Sequence, residues 1–160
     1  VASRAGVGIG TVYRHFPTRD VLVEAVYAAE LDELADSAAA LLAEFPPEAA
    51  LRRWVERYAR FTRAKRGMLD ALRSATVGGQ LPMAATRERI SAALEPILAA
   101  GARDGSLRRD VELGDIIVLL HAVFIATATT EDPDQTARLL DFVVHSLRGS
   151  PVGGAESRTG

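Results

Sequence analysis

Apolar positions recur along this chain at three- and four-residue spacing, and alternating period-2 runs are absent. That pattern predicts an all-α fold. Alanine and leucine, both strong helix formers, supply much of it. In the first long stretch, Arg19–Glu44, residues Leu22, Val23, Val26, Tyr27, Leu31, Leu34, Ala38, Leu41 and Leu42 fall at helical spacing. Thr18 is placed to cap this helix, and Asp20 sits where the helix dipole favours an acid. Pro46-Pro47 ends it, and a second helix is expected over residues 48–65. Gly67 separates that helix from a shorter one over 68–76, and the loop Gly78-Gly79-Gln80-Leu81-Pro82 follows. The next helix, over 83–103, contains Pro96, which is expected to kink it by removing one backbone hydrogen bond. A helix over 113–129 is apolar around most of its circumference, so burial is expected. The last helix, over 134–148, carries Leu139, Leu140, Val143, Val144 and Leu147 on one stripe. Residues 149–160 are glycine, serine, proline and polar types, and read as a disordered tail.

The chain of 160 residues is the length of one domain with at most a small appendage. It has no cysteine, so disulfides and thiolate metal sites are excluded. Its three histidines are too dispersed for a metal site, and no metal or other cofactor is expected. The longest apolar run, residues 116–130, is shorter than the ~20 residues a membrane-spanning helix needs. The start carries Arg4 and no apolar run, so no signal peptide is expected and the expected location is the cytoplasm. The sequence offers no activated nucleophile, no carboxylate pair at catalytic spacing and no phosphate loop. An enzyme is therefore not expected.

Charge divides the chain. The formal net charge of −2 hides a basic start: Arg4, Arg14 and Arg19 precede the first acid, Asp20. The two ends read as having different jobs. The basic segment, VASRAGVGIGTVYRHFPTRDVLVEA, is a helix end, a glycine turn, a second short helix and the start of a third. A helix–turn–helix places its second helix in the DNA major groove. That helix presents Thr11, Tyr13, Arg14 and His15, all hydrogen-bond donors, while Val12 and Phe16 anchor it from the other side. Gly8 and Gly10 allow close approach to a phosphate or base edge.

Ala2, Ala5, Gly6, Val7, Gly10, Thr11, Val12, Tyr13, His15, Phe16, Thr18, Arg19, Asp20 and Leu22 stand at the spacing of a known signature. On them the segment resembles the TetR family of transcriptional regulators. The run Ala100 to Val111 is similar to that family's connection into its eighth helix, and residues 62–79 resemble its SbtR-like subgroup. The resemblance implies a truncated helix–turn–helix head over residues 1–26, a six-helix ligand-binding and dimerisation bundle over 27–148, and the tail. It also implies that the family's first helix and most of its second precede Val1.

It implies site residues as well. Ile9, Gly10, Thr11 and Arg14 match positions that face the groove, and Thr11, Tyr13, His15 and Arg19 match positions that grip phosphates. Phosphate contacts set register and base contacts set sequence; arginine pairs best with guanine. Gly8 stands where many members have a capping serine, a change of a few tenths of a kcal/mol.

In the body, Leu51, Trp54, Val55, Tyr58, Phe61 and Thr62 share a helical face. Core packing explains it, and so does a ligand wall, because the family binds small molecules between its middle helices. Met68, Leu72, Met83, Arg87, His121 and Phe124 are further wall candidates. The opposite face carries Arg52, Arg53, Arg57, Arg60, Arg63, Lys65 and Arg66 against Glu56, and reads as a solvated face rather than a second nucleic-acid patch. The stripe Ile116, Ile117, Leu120, Val123 and Phe124, with that of the last helix, exceeds what one small core needs. In the family these helices pair with their copies, so a homodimer through them is expected. Its two-fold axis would mirror a palindromic operator in double-stranded DNA. The function implied is a dimeric repressor released by a small molecule. The rival reading is a dimeric ligand-binding module that, in this truncated form, does not bind DNA.

Overall fold

The structure is a computed structural model that describes residues 15–75, 83–127, 130, 132 and 134–149, with side chains described except at 19, 20, 65–75, 83 and 84. Five helices run through the described residues: α1 (Arg19–Glu44), α2 (Pro47–Ala75), α3 (Met83–Asp104), α4 (Leu113–Ala126) and α5 (Gln135–Ser146). The all-α class holds. The two helices expected on either side of Gly67 are one, so the described residues of the body hold five helices where six were expected.

Local chemistry sets the boundaries. The Thr18 hydroxyl accepts the Val21 N–H at 3.2 Å and satisfies one of the orphan donors at the α1 start. Phe45 leaves the helix in extended backbone, as the residue before a proline prefers. Pro47 then opens α2 with a preset φ, and Glu48 lies in its first turn. α3 continues through Pro96, which is exposed together with Ala92. The freed carbonyl is that of Ala92, an exposed residue, so solvent can satisfy it. α4 ends at Ala126 and α5 at Ser146, each two or three residues earlier than the periodicity implies.

One core holds the helices together. α1 packs on α2 and α3, α2 also meets α3 and α5, and α4 lies against α3 and α5. Leu31, Leu34, Ala38 and Leu41 of α1 meet Leu51, Trp54 and Val55 of α2 and Ile90, Leu94 and Ile97 of α3 in one buried cluster. Removing one such leucine side chain costs about 2–5 kcal/mol.

The connections are pinned as well. After α3, Gly105 adopts φ +80°, which glycine takes without strain, and the Leu107 N–H donates back to the Gly101 carbonyl at 3.0 Å. Leu107 then seats directly on Gly101, where a Cβ would collide with its side chain. The Arg108 N–H donates to the Leu147 carbonyl at 2.9 Å, and the Gly149 N–H to the Ser106 carbonyl at 2.9 Å. The end of α5 is thereby stitched to the α3–α4 connection, and Gly149 belongs to that stitch. Residues 150–160 lie outside the described residues.

Candidate functional site

The interior candidates form a ladder of rings. Trp54, fully buried, stacks on Tyr58 with centroids 5.5 Å apart, and Tyr58 meets Phe124 of α4 edge-on at 4.9 Å. Such pairs add about 0.5–1.5 kcal/mol beyond their burial. The Trp54 indole N–H donates to the Leu34 carbonyl of α1 at 3.1 Å, so its polar need is met inside the protein. Burial pushes the Tyr58 hydroxyl above its ordinary range, and the neighbouring Tyr27 adds to the shift. Phe61, half-buried, packs on Tyr27 at 5.4 Å. Tyr27 is thus a fifth aromatic beside the ladder; its place on the α1 stripe gave no sign of that.

The remaining wall candidates are scattered. His121 is half-buried on α4. Arg87 is exposed and reaches over the first turn of α4, with a guanidinium nitrogen 3.8 Å from where a Cβ on Gly114 would stand. It does not join the ladder. The side chains of Met68, Leu72 and Met83 lie outside the described residues. So do Ile9, Gly10, Thr11, Tyr13 and Arg14 and the side chain of Arg19. His15 is described, helical and exposed, three residues before the Thr18 cap.

The last two helices correct two expectations. Ile116, Ile117, Leu120 and Phe124 of α4, and Leu140 and Val144 of α5 with Leu147 beyond it, are buried in the chain's own core. They are not a free stripe. Val123, Leu139 and Val143 are half-buried. Nor is α4 buried all round. Val118 is 54% exposed, Leu119 48% and Ile125 63% on α4, and Phe142 is 72% exposed on α5. The uncovered apolar face is the opposite one. A signal for it existed: Phe142 lies about 200° around the helix from Leu140, on the side that should be polar. Between the two helices the Thr136 hydroxyl donates to that of Thr127 at 2.8 Å, which in turn donates to the Val123 carbonyl.

The basic face of α2 is partly engaged. Arg52 pairs with Asp141 of α5. The Arg53 guanidinium lies 4.0 Å over the Phe45 ring, a cation–π contact. Arg57, Arg60 and Arg63 are exposed to solvent as expected.

Residues 46–149 match the family model described as transcriptional regulator SbtR-like, C-terminal domain. Residues 1–26 match that of bacterial regulatory proteins, tetR family. The chain belongs to the TetR family of transcriptional regulators. The crystal structure of the TetR transcriptional regulator SCO0520 from Streptomyces coelicolor is 41% identical, with a TM-score of 0.80 over 94% of this chain and 86% of that one. The TetR transcription regulatory protein from Mycobacterium vanbaalenii is 34% identical, with a TM-score of 0.67 over 92% and 80%. The TetR family regulator PfmR from Thermus thermophilus shares the fold at 21% identity and a TM-score of 0.62, over 94% and 86%. No curated protein matches the chain. Membership makes it a DNA-binding regulator of transcription, a class that generally does no enzymatic chemistry. Among the described residues no helix is long and apolar enough to cross a membrane.

Proposed function

We propose that this TetR-family chain is a cytoplasmic, dimeric repressor that leaves a palindromic operator when a small molecule enters its body. The observation that carries the reading is one chain with two parts: a segment matching the family's DNA-binding model, and a body whose last two helices leave an apolar face uncovered. A second copy is the partner that covers such a face with its own, by two-fold symmetry. Val118, Leu119, Ile125 and Phe142 are its centre.

The units of function are a head over residues 1–26 and a body from residue 27 through Gly149, whose N–H is tied to Ser106. In the head, Tyr13, His15, Thr11 and Arg19 hold phosphates, and Arg14, with Ile9, Gly10 and Thr11, faces base edges. In the body, Tyr58, Phe61 and Phe124 line the ligand wall, with His121, Met68, Leu72 and Met83 as further contacts; Arg87, exposed over the start of α4, stays outside it. Trp54 backs Tyr58 from within the core.

α1 supports a mechanical link between the two. Its first turns fall within the segment matching the DNA-binding model, and its later turns carry Leu31, Leu34 and Leu41 in the body's core. It is one unbroken rod of 26 residues, about 39 Å long at the ordinary rise. A ligand that tilts α1 in each subunit changes the spacing of the two heads. To weaken operator binding tenfold it must favour the released state by about 1.4 kcal/mol.

A gel-shift titration of the full-length protein against the DNA flanking its own gene tests the reading. A retarded band that weakens with rising salt is expected, because phosphate contacts release counterions. No band at low or moderate salt overturns it. Tyr13→Phe is expected to weaken the band; unchanged affinity would remove its hydroxyl from the phosphate contacts.

A further inference from the structure

We propose that the groove between α2 and α5 is a second small-molecule site, outside the aromatic interior, that takes an amphipathic anion: a strong acid group on an apolar body. The groove has a volume of about 770 Å³, within the ~300–1,000 Å³ of small-molecule pockets. Its floor is Val55 and Ala59 of α2 with Leu140 and Val144 of α5. Its rim is charged, and the charges are unevenly paired. Arg52 is matched by Asp141, and Arg138 by Asp132. Arg60 and Arg63 hold no ion pair among the described residues, and of the lining carboxylates Glu56 alone is left to face them. One positive charge stays uncompensated beside an apolar trough.

Arg60 and Arg63 are three residues apart on α2, so their guanidinium groups leave the helix side by side. A planar fork of donors suits the oxygens of a carboxylate or sulfonate. An apolar tail laid along Val55, Ala59 and Leu140 leaves water at the same time. Nucleic acid fits the groove poorly: a phosphate backbone rewards a row of cations, and here the floor is apolar and Glu56 and Asp141 interrupt the row. The occupant is thus one molecule with a charged end and an oily end. Phe142 stands at the lip and is shared with the face assigned to the second copy; the arginines and the apolar floor that would hold the anion are not part of that face.

Octane-1-sulfonate, charged at every working pH, is the probe, and octan-1-ol its neutral match. Calorimetric titration of the full-length protein is expected to show saturable binding of the sulfonate and much weaker binding of the alcohol. In NMR spectra the methyl signals of Leu140 and Val144 should move with the sulfonate. The double variant Arg60→Gln, Arg63→Gln should weaken sulfonate binding by about tenfold or more. Both side chains are exposed, so the variant should keep its helix content and melting temperature. Sulfonate binding unchanged in the double variant overturns the proposal, because the probe then sits elsewhere. So does a wild-type protein that binds no sulfonate; a double variant that also changes from dimer to monomer would then assign the groove to the second copy.

Discussion

Helix α4 has two apolar faces with opposite fates. One, with Ile116, Ile117, Leu120 and Phe124, is sealed inside the chain. The other, with Val118, Leu119 and Ile125, is open to water. α5 repeats the division, with Leu140 and Val144 inside and Phe142 outside. The residue types on the two faces are nearly the same. What differs is whether another element of the same chain covers them: the α3 and α5 helices, with Tyr58 of α2 against Phe124, cover the first face, and nothing among the described residues covers the second. An apolar face holds a fold together only where something packs on it; elsewhere it marks an interaction site.

The sharpest way to break this comparison is a matched pair of truncations. Leu120→Ala, on the sealed face, should lose about 2–5 kcal/mol of stability in urea titration followed by circular dichroism. Leu119→Ala, its neighbour on the open face, should cost the isolated subunit no more than about 0.5 kcal/mol. Equal losses would mean that the two faces are not distinct.

Association is the complementary test. Phe142→Glu should give a monomer by light scattering at concentrations where the unaltered protein is a dimer, with helix content retained. A dimer that survives would move the interface away from α5. Leu140→Glu is the contrasting change. It places a charge in the core and should unfold the chain, since a buried unpaired charge costs several kcal/mol.

Smaller effects sharpen the connections that position the two faces. Thr136→Val removes the donor to the buried Thr127 hydroxyl, which keeps its own bond to the Val123 carbonyl, and should cost about 0.5–1.5 kcal/mol, read by thermal melting. A cost near zero would show that the hydroxyl chain does not hold α5 to α4. The smallest effect is electrostatic. Arg108 holds the Asp110 carboxyl down to about 2 through its hydrogen bonds at 2.9 and 2.7 Å. With its folded value depressed, the pair contributes above the ordinary carboxylate value and fades as pH falls from there through about 2. Arg108→Gln should return Asp110 toward 3.8 in an NMR titration. An unmoved titration would remove Arg108 as the cause. Both groups are exposed, so little change in stability should accompany it.

Much of the body was legible in the chain, for local reasons. Thr18 before Asp20, Pro46-Pro47 after Glu44 and Gly105 after Asp104 are capping and breaking signals that act through their own backbone, and α1 has the bounds they imply. The break expected at Gly67 failed because one glycine only weakens a helix, by about 1 kcal/mol, and α2 packs on three other helices. Of the site, Trp54, Tyr58 and Phe124 were legible as aromatics at helical spacing. That they stack in one ladder was not, because it depends on the approach of α4 to α2. Nor was the pairing of Arg52 with Asp141, 89 residues away.

The sequence by itself determined the all-α class, most of the helix ends and the family. Each of these rests on periodicity, on caps that act within a few residues, or on a motif contiguous in the chain. The tertiary structure alone decided which face of α4 and α5 is core and which is free. A helix that is apolar all round has no preferred inner side until its neighbours arrive. It also decided that α2 and α5 enclose a groove with two arginines left over, because the charge balance of a site depends on residues brought together from distant parts of the chain.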